Sequence, residues 1–288
     1  MDSVRVRLDL AYEGTDFSGW ARQPSLRTVQ GVLEEVLATL FRRHPPAPPL
    51  TVAGRTDAGV HAAGQVAHVD LTEEQLSSLR RRSDPDAGPR ALAARLGVRM
   101  NGVLGADSDV VVHRTALAEP GFDARFSAVW RRYEYRVADV DTPRDPLERR
   151  RTVRLPSQLD VETMDAAARA LLGLHDYATF CKPREGATTI RTLQAFDWHR
   201  DDRGVLIARL QADAFCHSMV RALVGAAVAV GAGTLAGERL VELRDDRMRT
   251  SAFLVMPAKG LTLTEVGYPH AAELGVRAEQ TRARRELE

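Results

Sequence analysis

The sequence predicts an α+β protein, and three observations carry that prediction. Val4, Val6, Leu8 and Leu10 alternate with Arg5, Arg7 and Asp9, the period of a half-buried strand. Val29, Val32, Leu33, Val36, Leu37 and Leu40 recur at helical spacing and form one apolar face. Ile190 to Arg200 and Val205 to Ala212 read as two strands joined by the polar turn Asp201-Asp202-Arg203-Gly204. At 288 residues, 44% of them apolar, the chain can fill two ordinary cores or one large one.

Taken in order, the first strand leads into a loop from Tyr12 to Pro24 that carries Gly14, Phe17, Gly19 and Trp20. Thr28 is placed to cap a helix reaching about Arg43, and Pro45, Pro46, Pro48 and Pro49 end it. Leu50 to Val52 and Gln65 to Leu71 read as strands, followed by a helix over about 72–82. Ser83 to Pro89 is rich in Asp, Pro and Gly and reads as a surface insertion. A helix over 90–96 and a strand over 109–112 come next, and a domain junction is expected between Asp107 and Gly121. Tyr133 to Val137 alternates as a strand, and Asp160 is positioned to cap a helix reaching about Gly173. Lys182 to Thr189 is a polar loop. Met219, Val220, Leu223, Val224 and Ala227 share a helical face, which would make His217 and Arg221 neighbours one turn apart. An Arg on so apolar a helix must find an anion or reach water. A short helix over 237–244 and a last strand to Val266 precede a charged tail, read as an exposed helix or a frayed end.

A formal charge of +1 does not announce a nucleic-acid partner, which would need a local basic surface. One candidate exists: nine Arg stand against five acidic residues between Arg125 and Arg154, interleaved with Trp130, Tyr133 and Tyr135. Guanidinium groups take phosphates and rings stack on unpaired bases, although a solvated, ion-paired surface explains the same composition. Two cysteines, Cys181 and Cys216, make no disulfide framework and suggest a reducing compartment. The N-terminus reads as a strand and not as a signal peptide, and the uncharged run Ala222 to Gly237 is short for a bilayer span. A cytoplasmic location is therefore expected.

The stretch most rich in chemistry is Ala53 to Gly64, with one Arg, one Asp and one His among small residues and three glycines. Flanked by apolar strands, it reads as a shaped loop that holds Asp57 on a rigid support. A phosphate-binding loop would need Lys and then Ser or Thr after Gly59, and Val60 and His61 stand there instead. Asp57 and His61 could ligate a metal, but no second ligand pair follows at the right spacing, and His68 alone is insufficient. The plainest alternative is a turn in which Asp57 caps a backbone N–H.

Several strings resemble the tRNA pseudouridine synthase A family. Gly54-Arg-Thr-Asp-Ala-Gly-Val-His61 is similar to its signature, and Tyr12-x-Gly-x-x-Phe-x-Gly-Trp20 to its opening motif, with Ala21 where the family usually has Gln. Phe122-Asp-Ala-Arg-Phe126, Arg131-Arg-Tyr-x-Tyr135, Phe215-x-His-x-Met-Val-Arg221 and Pro257-Ala-x-Gly-Leu-x-Leu263 match further motifs in the family's order. The resemblance spans about residues 5 to 267. It implies the pseudouridine synthase fold: two RRM- or ferredoxin-like α+β domains sharing a mixed, mainly antiparallel sheet. The domains would be 1–115, with the catalytic loop, and 116–270, leaving 271–288 as the tail.

The same resemblance implies an isomerase that converts uridine to pseudouridine at positions 38, 39 and 40 of the tRNA anticodon stem-loop. It would act as a homodimer, without metal or cofactor. Asp57 would be the nucleophile, Tyr133 would stack on the base, and Arg221 would pair with the Asp. Arg55, Phe122, Asp123, Ala124, Arg125, Phe126, Arg144, Arg184 and Leu261 would contact the substrate, Leu261 packing against the target base. The alternatives are a catalytically silent RNA-binding protein and a metal-dependent hydrolase using Asp57 and His61.

Overall fold

The structure, a computed structural model, describes residues 3–184 and 188–282. They divide into two compact units, one running to Ala128 and resuming at Val266, the other spanning Val129–Glu265. The first unit begins with β1 (Val4–Tyr12), α1 (Val29–Leu40), β2 (Leu50–Val52), β3 (His61–Leu71), α2 (Glu73–Ser77), α3 (Pro89–Leu104) and β4 (Val110–Leu117). The predicted alternation of β1 is real: Val6, Leu8 and Leu10 are fully buried. β1 is central, antiparallel to β3 on one side and β4 on the other, and β2 pairs antiparallel with β3. Thr28 caps α1 through Oγ1, which accepts the Gly31 N–H at 3.2 Å.

Two helices of this unit differ from their expected lengths. α2 stops at Ser77; a reciprocal cap between Thr72 and Gln75 fixes its start, and Gln75 Nε2 donates to the His44 and Pro46 carbonyls. α3 runs on past the expected end at Leu96 to Leu104. Asn101 near its end exchanges two hydrogen bonds with the Val112 backbone, at 2.8 and 2.9 Å, and so ties the helix to β4. The junction also lies later than the expected 107–121. Ala118 N–H bonds the Arg5 carbonyl, Arg5 Nη1 donates to the Phe122 carbonyl at 2.7 Å, and Ala124 N–H donates to His68 Nδ1 at 3.0 Å. Those bonds hold 118–128 to β1 and β3.

The second unit comprises β5 (Trp130–Ala138), β6 (Val153–Arg154), α4 (Val161–Arg169), β7 (Gly173–Asp176), β8 (Ile190–Arg200), β9 (Leu206–Ala212), α5 (Met219–Gly231), α6 (Arg239–Asp246) and most of β10 (Leu261–Gly267). Its strands run in the order β10-β5-β9-β8-β7, with β6 parallel to β5 and the pairs β5–β9, β9–β8 and β8–β7 antiparallel. The expected hairpin is β8–β9, closed where Asp201 Oδ1 accepts the Arg203 and Val205 N–H groups. Asp160 caps α4 as expected, accepting from Glu162 and Thr163, but the helix ends at Arg169. After β10 the chain rejoins the first unit and forms α7 (Leu274–Arg282). Leu274 and Ala278 are buried and Ser127 Oγ donates to the Leu274 carbonyl at 3.1 Å, so the start of the expected tail is docked. Residues 283–288 lie outside the described residues.

Both cysteines are free thiols. Among the described residues no helix is long and apolar enough to cross a membrane.

One buried ion pair gives the second unit a pH-dependent contribution. The Asp139 side chain is fully buried and receives Arg200 Nη2 at 2.5 Å and Thr142 Oγ1 at 2.9 Å. Burial alone would push its carboxyl up, but Arg200, Thr142 and the Leu159 N–H together hold it below the usual carboxylate range. A depressed carboxylate stabilises the fold above its unfolded value and loses that contribution as pH falls through its folded value. Asp139→Asn should cost about 1.5–3 kcal/mol at pH 7, and urea melts should show the gap to wild type closing toward about pH 3. A gap that stays constant with pH would show that the carboxylate's charge contributes nothing.

Candidate active site

Asp57 sits at the first position of a tight turn. Val60 N–H returns to the Asp57 carbonyl at 3.2 Å, and Gly59 holds φ at +76°, as the third position of a type II turn requires. Of the three glycines in the loop this is the one with positive φ. Gly64 lies inside β3, which starts four residues earlier than expected.

The loop is braced from the segment after β1. Trp20 N–H donates to the Thr56 carbonyl at 3.0 Å and Gly59 N–H to the Phe17 carbonyl at 3.1 Å. Gly19, with φ +93°, faces the Thr56–Ala58 backbone so closely that a β-carbon would stand 3.0 Å from the Thr56 oxygen. A β-carbon on Gly14 would stand 2.0 Å from the Val60 oxygen. Below the loop, Tyr12 Oη meets Thr56 Oγ1 at 2.7 Å. Gln65 Nε2 reaches both Tyr12 Oη at 3.2 Å and the Gly54 carbonyl at 2.9 Å. Burial pushes the Tyr12 phenol up to about 12, against the opposing pull of Thr56 and Gln65, so it stays a neutral hydrogen-bonding group. Thr56 is buried, Asp57 is half-buried, and Arg55 is exposed.

His61 is structural in this arrangement. Its Nδ1 accepts the Gly14 N–H at 2.9 Å. Glu13 Oε1 also lies 3.2 Å from that nitrogen, but an Nδ1 that accepts from a backbone N–H carries no proton, so the pair is not an ion pair. Among the described residues no three His, Cys, Asp or Glu side chains gather as metal ligands.

The 122–126 block occupies another part of the unit. Ala124 is held to His68, seven residues along β3 from His61 and so roughly 20 Å away at strand rise. Phe122 and Ala124 are buried, the Phe122 ring packing on Tyr268 at 5.0 Å beneath Arg7. Asp123 Oδ1 accepts the Arg125 and Phe126 N–H groups at 2.8 and 2.9 Å and shapes the turn. Burial, aided by the Arg5 charge, lowers His68, which suits the neutral ring that accepts from Ala124. Arg125 is exposed and stacks on the half-buried Phe126.

The second unit brings three other expected site residues to one region. Tyr133 and Tyr135 stand two apart on β5 and so share a face. Tyr133 is 8% exposed, and Phe215 meets its ring edge-on at 5.2 Å. Arg221 is the third residue of α5, and its Nε donates to the Met256 carbonyl at 2.6 Å. Leu261, 5% exposed, opens β10 directly after Gly260, which lies against the Tyr135 ring. His217 does not share the helix that carries Arg221. Ser218 takes φ +64°, the helix begins after it, and exposed His217 lies outside.

At least three of the nine Arg in the basic stretch pair with acidic side chains. Arg136 lies 3.3 Å from Glu134 and Asp201 and 3.6 Å from Glu148, Arg151 pairs with Glu148, and Arg132 pairs with Glu265. Arg144 and Arg184 are exposed.

A family model described as tRNA pseudouridine synthase matches residues 167–269, which include Arg221 and Leu261. The tRNA pseudouridine synthase A of Leifsonia xyli subsp. xyli is 65% identical over 288 residues, covering 99% of each chain. The protein of that name from Frankia casuarinae is 52% identical, covering 97% of this chain and 95% of its own.

This chain belongs to the tRNA pseudouridine synthase A family.

Pseudouridine synthases are isomerases, so this tRNA pseudouridine synthase A family member is one by class. Motif reading found the residues expected to react and missed those that hold them. Tyr12 and Gly14 lay within the opening motif, and Tyr135 and Gly260 within two later ones. Gln65 carried no signal, since its two bonds join segments that only the fold brings together.

The close approach at Gly14 predicts a sharp contrast. Gly14→Ala should destabilise by about 1–3 kcal/mol through overpacking. Gly54→Ala, with nothing within 4 Å of the new carbon, should cost under about 0.5 kcal/mol. Thermal melts of the two variants decide it, and equal losses would refute the brace.

Proposed function

We propose that this chain isomerises uridine to pseudouridine at positions 38, 39 and 40 of the tRNA anticodon stem-loop, with Asp57 as nucleophile. The supporting observation is a half-buried carboxylate at the head of a turn braced on three sides, inside the family signature string. A nucleophile must be held within a fraction of an ångström of its working position, and a braced turn does that.

The reaction exchanges a C–N bond for a C–C bond. The glycosidic bond from ribose C1′ to N1 breaks, the uracil turns, C1′ joins C5, C5 loses its proton and N1 gains one. Electrons balance without a redox partner. Asp57 attacks the nucleoside as carboxylate, and the Arg221 guanidinium favours that charged form. Tyr133 stacks on the uracil and moves a proton at C5. Leu261 closes the apolar side of the pocket. A base within a stem must be extruded before it can react. Arg55, Arg125 and Phe126 engage the displaced nucleotide and its neighbours, while Arg144 and Arg184 take phosphates. Phe122, Asp123 and Ala124 shape the turn that presents Arg125 and Phe126. The enzyme works in the cytoplasm as a homodimer.

Tritium release from tRNA labelled at uridine C5 tests this reading. Wild type should release tritium, and Asp57→Asn should fall by at least about a thousandfold. Binding of tRNA by the variant, measured at fixed salt, should stay within about threefold of wild type. Retained binding with no release by wild type would instead establish a silent RNA-binding protein. Equal loss of binding and turnover in Asp57→Asn would refute the nucleophile assignment.

A further inference from the structure

Tyr135 is fully buried, and its polar hydroxyl is committed. The hydroxyl donates to the Pro257 carbonyl at 2.6 Å. The adjacent carbonyl, Met256, takes Arg221 Nε at 2.6 Å, and Met256 N–H returns to the Arg221 carbonyl at 3.1 Å. Three residues on, Gly260 meets the same tyrosine. A β-carbon there would stand 2.6 Å from Tyr135 Cζ and 2.9 Å from its oxygen, so no other residue fits unless the ring moves. Four contacts thus fix a six-residue segment, Met256 to Leu261. They tie one end to Arg221 and leave Leu261 at the other. The Tyr135 ring also lies within reach of the Arg221 charge.

We propose that Tyr135 is a positioning residue for the reaction, acting through the 256–261 segment to fix Arg221 and Leu261 together. The proposal rests on the functional reading above. Tyr135 is not itself a proton carrier, since its hydroxyl proton is committed to a backbone carbonyl. Burial raises its phenol above the ordinary range, with the Arg221 charge opposing, so the donor persists across the working pH range. The chemistry follows from geometry. Loss of the hydroxyl leaves the Pro257 carbonyl without its buried donor, and the segment relaxes. The apolar wall at Leu261 and the guanidinium at Arg221 then shift relative to each other, and misplacement of about 1 Å can cost up to a hundredfold in rate.

The test uses the full-length enzyme, the tritium-release assay and three variants: Tyr135→Phe, Leu261→Ala and the double. Tyr135→Phe keeps the ring and removes only the hydroxyl. It should lower kcat by roughly ten- to a hundredfold, with KM within about twofold and an unchanged pH profile. If Tyr135 acts through Leu261, the double variant should lose much less than the product of the two single losses. A purely structural role would lower the melting temperature and leave kcat intact well below the melt. Wild-type kcat in Tyr135→Phe, or a double-variant loss equal to the full product, would overturn the positioning role while leaving the functional reading in place. No tritium release by wild type would remove the functional reading, and the positioning role with it.

Discussion

The Val60 carbonyl oxygen lies 2.0 Å from the place a β-carbon on Gly14 would occupy, and that approach organises the first unit around the Asp57 loop. Two backbones can come so close only where a residue has no side chain. Once they do, their polar groups must be satisfied locally. Phe17, Trp20 and Gly14 supply the partners, as carbonyl to Gly59, as N–H to Thr56, and as N–H to the His61 ring. The loop is therefore not a flexible connection between β2 and β3. It is a layer of backbone packed against a second layer, with Tyr12, Thr56 and Gln65 bonded beneath.

The second unit solves a similar problem differently. It positions its candidate groups with side chains that grip backbone carbonyls. Arg221 and Tyr135 each commit a donor to one of two consecutive carbonyls, Met256 and Pro257. A charged donor and a buried phenol make stronger bonds than two water-exposed groups would, because the surrounding medium screens them less. The cost is intolerance at Gly260, where the ring leaves no room for a methyl group. Arg136, Arg151 and Glu148 cluster farther along the chain, which shows how little the Arg count of a segment says about its surface potential. Some charges that look like an RNA face in one dimension are paired with acidic neighbours in three.

The elements with a strong period were legible. β1, α1, the β8–β9 pair and the apolar face of α5 follow directly from where the apolar residues fall. Boundaries were less so, and each miss has a local cause. α3 extends because Asn101 finds the Val112 backbone. α5 starts late because Ser218 adopts a left-handed conformation, which places His217 off the helix that carries Arg221. The short strands β6 and β7 were invisible, since Val153–Arg154 and Gly173–Asp176 carry no alternation of apolar residues.

Within the candidate site, the side chains proposed to react could be named from motif strings because chemistry restricts residue type: a carboxylate, a phenol, a guanidinium. The sequence by itself determined the α+β class, the family and those groups, since period and motif are properties of the chain's order. Only the tertiary structure decided which groups are held and by what. It buried Phe122 and Ala124 against His68 and Tyr268. It also returned the segment after Val266 to the first unit. Gln65 beneath Gly54 and Tyr135 behind Gly260 became supports only there, because a hydrogen bond between residues far apart in sequence exists once the fold has brought them within 3 Å, and nothing in their order announces it.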